Sequence, residues 1–109
     1  MKHRRTKATD IPPKVKKAVE QRDSIDGRPC CIFCGSPEAK GEAHVIARSQ
    51  GGLGIEKNLG TVCRECHRAM DNSQARNLYI AKAKDYLRSI YPGWDEKDLI
   101  YDKWKGLGL

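Results

Sequence analysis

Cys31-Ile32-Phe33-Cys34-Gly35 and Leu59-Gly60-Thr61-Val62-Cys63-Arg64-Glu65-Cys66-His67 are the two stretches on which the fold turns. Each carries two thiols separated by two residues, and 28 residues lie between the inner cysteines, Cys34 and Cys63. A two-residue spacer lets one tight turn present two thiolates, and Zn²⁺ takes four of them in a tetrahedron at about 2.3 Å. The two turns therefore predict a closed, structural zinc site on Cys31, Cys34, Cys63 and Cys66. Such a site has no place for a substrate water, so its work is to staple the residue 30 region to a helix that starts near residue 63. Two disulfides or a redox dithiol are the competing readings, and they call for an oxidising or thiol-exchange setting. Cys30 is a fifth thiol. A Cys30/Cys34 register is conceivable, but the 31/34 spacing is the usual one, which leaves Cys30 as a partly buried free thiol.

A staple suits a chain of this size. With 109 residues and 12.3 kDa the expectation is one domain, burying only about 60 to 70% of its unfolded surface. Residues 1–10 read as a basic flexible arm and residues 11–109 as a single domain, its core at about 30–75, with a helical C-terminal extension. No apolar run approaches the ~18 residues of a membrane span, and no apolar stretch follows the basic opening as in a secretory signal. A reducing, cytoplasmic setting without membrane contact is therefore expected. The formal charge is +7. Residues 1–22 hold eight Lys or Arg against Asp10 and Glu20, a net +6, whereas the other 87 residues carry 13 basic against 12 acidic groups. A basic arm of this kind either tracks a phosphate backbone or merely solubilises the chain.

Around the knuckles the pattern is α+β. Val15, Ala18 and Val19 repeat at helical spacing behind Pro12-Pro13, predicting a short helix that ends by Asp23. Asp26-Gly27 marks a turn. Ser36 to Gly41 reads as loop, Glu42 to Ile46 as a short strand, and Leu59 to Cys63 as a second strand. A helix follows to Met70 or Asp71. Ser73 is a candidate N-cap for a longer helix from Gln74 to about Tyr91, with Ile80, Ala83, Leu87 and Ile90 as its buried stripe. Pro92-Gly93 stops it, Asp95 caps a last helix, and Trp94 and Trp104 read as packing residues. Gly51, Gly52 and Gly54 lack the Lys-Ser/Thr of a phosphate-binding loop and serve a tight turn.

Of the three histidines, His3 lies in the arm, whereas His44 ends the first strand and His67 follows Cys66 directly. Asp71 stands four residues after His67, one helical turn along the same face, so the two can grip one divalent ion. Each of these residues alone reads as an ordinary surface or helix-end group. Together they suggest a second, open metal site.

The stretch EAHVIARSQGGLGIEKNLGTVCRECHRAMD, residues 42–71, resembles the HNH endonuclease family. The His-x3-Arg-Ser-x-Gly-Gly run, the Asn-Leu before the second strand and the Cys-x2-Cys-His at the helix start agree with it in order and spacing. With the upstream knuckle the resemblance covers roughly residues 14–75, and the chain also looks like small phage-encoded HNH proteins. It implies a ββα-metal core. By position, His44 corresponds to the general base, Asn58 to the residue that orients the base and its loop, and His67 and Asp71 to helix-borne ligands of a catalytic Mg²⁺, Mn²⁺ or Zn²⁺. The implied reaction is hydrolysis of a DNA phosphodiester, leaving a 5′ phosphate, in phage DNA processing or packaging, by a monomer or weak dimer with phage packaging proteins as further partners. Arg48, Lys57, Arg64 and Arg68 surround the site in sequence and are candidate phosphate contacts, or solvated charges. One position departs from the family. The residue before the base is usually His or Asp, but here it is Ala43, which cannot coordinate. Glu42, two residues before His44 on an extended strand, can reach the ion directly or through water; the alternatives are a two-ligand site completed by water and a backbone carbonyl, and an inactive site. The competing function is a zinc-stapled nucleic-acid-binding module without catalysis, and a thiol redox protein is a third.

Overall fold

The computed structural model describes residues 4–72 and 74–101, so the expectations resting on His3, Ser73 and Trp104 lie outside the described residues. Helix α1 (Arg4–Thr9) leads to α2 (Pro13–Arg22), then a small hairpin of β1 (Ser24–Ile25) and β2 (Arg28–Pro29). The cysteine turn follows, then β3 (Ala39–His44), two 3₁₀ turns (Arg48–Gln50 and Glu56–Asn58) and β4 (Leu59–Cys63). Helix α3 (Arg64–Asn72) starts directly from β4, and α4 (Arg76–Ile90) and a 3₁₀ turn (Glu96–Leu99) complete the described chain. Among these residues no helix is long and apolar enough to cross a membrane.

Strands β3 and β4 pair antiparallel, with Ala39 opposite Cys63 and His44 opposite Leu59. Together with α3 they form a ββα unit, so the α+β reading holds. Between Lys40 and Ala43 the register slips, because β3 has one residue more than β4 between the pairs Lys40–Val62 and Ala43–Gly60. A bulge of this kind bends a strand and re-aims its side chains. It lies where α2 crosses: the Glu20 carboxylate accepts from the Gly41 N–H at 2.9 Å. Strand β3 also begins earlier than its apolar pattern announced, taking in Ala39 to Gly41. The register with β4 imposes that extension, as ladder hydrogen bonds outweigh a weak local propensity.

Two apolar clusters sit beside this unit. Cys31, Ala43, Val62, Cys63, Cys66 and Met70 form the first, and Val45, Ile46, Ala83, Leu87, Trp94 and Leu99 the second. Ile32, Phe33 and Ile80 pack against both, and Phe33 meets Tyr79 edge to face with centroids 4.9 Å apart. Ala83 and Leu87 of the foreseen stripe are fully buried. Trp94 is buried too, and its indole N–H donates to the Lys57 carbonyl at 2.7 Å, so it is a packing residue. Asp95 caps the last turn as expected, accepting from the Lys97 N–H at 2.9 Å.

The N-terminal segment differs from the sequence reading. Residues 4–9 are helical where no structure was foreseen, and Thr9 is only 4% exposed. Apolar content did not signal this, because the contacts that hold the segment run through backbone groups and an ion pair.

A buried polar knot ties the helices to the sheet. The Asp23 carboxylate accepts two hydrogen bonds from the Arg22 guanidinium at 2.8 and 2.9 Å, one from the Tyr86 hydroxyl and one from the Thr61 N–H at 2.9 Å. Burial, reinforced by the Asp23 bond, pushes the Tyr86 hydroxyl up to about 12. Arg22 also donates to the Glu56 and Leu59 carbonyls at 2.8 and 2.7 Å, which joins α2 to the start of β4. Removing the shared acceptor strands a buried cation and two donors. Asp23→Ala should therefore cost about 3–5 kcal/mol in urea unfolding, whereas Arg88→Ala, which breaks an exposed pair with Asp85, should cost under about 1 kcal/mol.

Candidate metal centre and active site

The four thiols converge. One sulfur from each of Cys31, Cys34, Cys63 and Cys66 lies within 4.8 Å of all the others, and the Cys34 and Cys63 sulfurs are 3.6 Å apart. A tetrahedral zinc with bonds near 2.3 Å sets its sulfurs about 3.8 Å apart, so the cluster fits that ion. Local geometry explains the convergence. The first turn closes by a Gly35 N–H bond to the Cys31 carbonyl at 2.9 Å, with Gly35 at φ 79°, where a side chain would be strained. The second turn is the start of α3: the Cys63 sulfur accepts from the Cys66 N–H at 3.5 Å, satisfying a donor that helix geometry leaves free.

The thiols are electrostatically unequal. Burial opposes ionisation of Cys31, but hydrogen bonds from the backbone of Cys63, Cys34 and Phe33 outweigh it and bring the group down to about 7. Burial, then crowding by the other three sulfurs, pushes the Cys66 thiol up. Four thiolates packed this closely repel one another, and a divalent cation is the chemistry that reconciles them. Cys30 stays outside the cluster. It is buried, and its thiol donates to the Arg28 carbonyl at 3.2 Å.

Zinc binding should be visible as about one ion per chain by elemental mass spectrometry. Stripping it with a chelator should abolish the cooperative thermal transition, and Cys66→Ser should reproduce that loss.

Next to this centre, β3 and α3 carry the histidines. His44 closes β3, half-buried, and its Nε2 lies 2.9 Å from the Thr9 carbonyl oxygen. Burial lowers its pKa below 6.5, and the positive fields of Arg48 and His67 lower it further against the opposing bond to Thr9. Burial thus favours the uncharged imidazole of His44. His67 Nε2 and Asp71 Oδ2 are 3.6 Å apart on α3, as the spacing of four demands. One cation with ligand bonds near 2.1 Å can span them, since two such bonds reach about 4.2 Å at most. Among the described residues only the four cysteines come together as three or more potential ligands, so His67 and Asp71 stand as a pair.

Ala43 is 1% exposed and belongs to the apolar core, so neither its chemistry nor its direction suits a ligand. Glu42 is exposed and lines a concavity of about 340 Å³ with Glu38, Lys40, Val62, Arg64 and His67. Its carboxylate pairs with Lys16 at 3.4 Å. Glu42 and His67 thus share one depression, while Ala43 faces away from it.

Asn58 is fully buried and does not touch the imidazole. Its Oδ1 accepts from the Ile46 N–H at 2.8 Å, and its Nδ2 donates to the Ile46 and Leu53 carbonyls at 3.2 and 2.9 Å. It therefore pins the chain two residues beyond His44 and the loop that follows, which is an orienting arrangement. Arg48, Lys57, Arg64 and Arg68 are all exposed. Arg64 lines the His67 concavity, Arg48 pairs with Asp10, and Lys57 lies over the Tyr91 ring at 5.9 Å. Sequence reasoning missed the Thr9 carbonyl, and no signal for it existed, since any residue offers that group.

Residues 31–79 match a family model described as HNH endonuclease. The matched segment holds both knuckles, the ββα unit and the His44, Asn58, His67 and Asp71 set, and it bears out the resemblance drawn from residues 42–71. It points to a nuclease or other nucleic-acid-related function for the HNH segment. No curated protein and no solved structure matches the chain.

A direct check on the HNH site is the titration of its candidate base. Because burial and neighbouring positive charge disfavour the imidazolium, the His44 ring followed by NMR should titrate with a midpoint below 6.5, and Arg48→Ala should move that midpoint upward.

Proposed function

We propose that the chain is a metal-dependent DNA endonuclease that hydrolyses phosphodiester bonds and leaves a 5′ phosphate. The observation that carries this reading is a backbone-held imidazole at the end of β3, in the same ββα unit as a helix that presents a His–Asp pair. A neutral imidazole accepts a proton from water near pH 7, and that water attacks the phosphorus. His44 is the base in this scheme. His67 and Asp71 hold a divalent cation, Mg²⁺, Mn²⁺ or Zn²⁺, which when bound supplies Lewis-acid stabilisation of charge on the departing 3′ oxygen. Asn58 keeps the turn after His44 in place and so sets the direction of the ring. Arg64, at the rim of the concavity, and Arg48, Lys57 and Arg68 around it are suited to backbone phosphates of DNA. The cysteine cluster is structural and carries zinc. A cytoplasmic place near phage DNA processing or packaging follows from the resemblance to small phage HNH proteins.

A second reading is supported by Ala43, which withdraws a usual ligand and leaves a pair where a fuller set is the rule. On that reading the same fold is a zinc-stapled nucleic-acid-binding module without chemistry.

Supercoiled plasmid separates the two. With Mg²⁺, Mn²⁺ or Zn²⁺ the zinc-loaded protein should nick it, and His44→Ala should lower the rate by about 10² or more while leaving DNA binding intact. Binding without His44-dependent cleavage would establish the module. Asp71→Ala should raise the metal concentration needed for half-maximal rate without altering the zinc content.

A further inference from the structure

Three consecutive residues, Ala8, Thr9 and Asp10, each reach into the stretch between His44 and Gly54. The Ala8 carbonyl accepts from the Gly54 N–H at 3.0 Å. The Thr9 carbonyl meets His44 Nε2 at 2.9 Å. The Asp10 carboxylate pairs with the Arg48 guanidinium. The fit is close at Gly54, where an added Cβ would lie 2.0 Å from the Asp10 carbonyl oxygen. Three contacts between two chain segments, with Thr9 and Gly54 both buried, make a specific docking rather than a chance approach.

A carbonyl oxygen only accepts hydrogen bonds, so the ring nitrogen facing Thr9 must carry the proton. A neutral imidazole has one such proton, which leaves Nδ1 with the lone pair. We infer that residues 8–10 are a clasp that positions the base: the Thr9 carbonyl holds His44 as the Nε2–H tautomer and turns Nδ1 into its proton-accepting atom. This rests on the reading of His44 as the base. Thr9 is a positioning residue, acting through its main chain, and Asp10, Arg48 and Gly54 keep it there. The basic N-terminal segment is thereby part of the site and not an appendage to it. Its helix, at ~1.5 Å per residue, keeps Arg4, Arg5 and Lys7 within about 9 Å of the clasp along the chain.

Gly54→Ala in the full, zinc-loaded chain is the informative variant, because the new methyl group collides with the Asp10 carbonyl and pushes the clasp away. Asp10→Ala removes the ion pair at the surface and serves where the first variant folds poorly. Long-range ¹H–¹⁵N NMR of the imidazoles should show His44 as the Nε2–H tautomer in the parent protein and a mixture of tautomers in either variant. Plasmid nicking should fall about tenfold or more in kcat in either variant, and in Gly54→Ala, which leaves every charge in place, DNA affinity should be nearly unchanged, as expected when a reacting group is misplaced without loss of binding. A parent protein with the Nδ1–H tautomer, or variants that keep both the Nε2–H form and the parent rate, would overturn the clasp. The two readings fail separately: His44→Ala that still nicks removes the base and leaves the tautomer shift intact as a sign of docking.

Discussion

Four sulfur atoms within 4.8 Å of one another set the terms for everything else in this chain. Four thiolates this close repel one another, so a divalent cation is the partner that suits the meeting of the turn at residue 31 with the start of α3. That closure fixes where β4 ends and α3 begins. It also buries Cys31, Cys63 and Cys66 in the apolar cluster that covers Ala43, and thereby holds β3 to the rest of the fold. A chain of this length has little apolar surface to bury, and a metal held by the four sulfurs would supply what the side chains lack.

The site is a consequence of that geometry. Strand β3 delivers His44 at its last residue, and α3, anchored by the knuckle, presents His67 and Asp71 one turn apart. Neither element is long. Their mutual placement is secured by the register of β3 on β4, the Asn58 bonds to Ile46 and Leu53, and the Asp23 knot that draws α2 and α4 onto the sheet. Polar groups at fixed distances, more than apolar bulk, hold the elements that carry His44 and the His67–Asp71 pair.

Much of this was legible beforehand because the informative residues are chemically unusual. Paired cysteines at a two-residue spacing have few uses, strand β4 matches its apolar run residue for residue, and His67–Asp71 follows from helical periodicity. Asp95 as a cap was visible for the same reason. What stayed hidden depends on contacts that any residue can make. The bulge in β3 comes from pairing with β4 and from Glu20, far away in sequence, and it extends the strand into a segment that reads as loop. The helix at residues 4–9 and the Thr9 carbonyl against His44 use main-chain atoms and an ion pair, which leave no compositional trace. The direction of Ala43 into the core is likewise a matter of register, and register was the one thing periodicity over so short a strand could not supply.

Of the four sulfurs, those of Cys31, Cys63 and Cys66 belong to buried residues, and Cys34 is the exposed member. Access to the cluster is therefore one-sided. Cys34 and Cys63 line one surface concavity with Ser36, Glu38, Arg64 and Glu65, so oxidants, thiol reagents and chelators reach the cluster from that side. A metal held there would be most open to attack on the side of the residue that contributes least to the protein's interior.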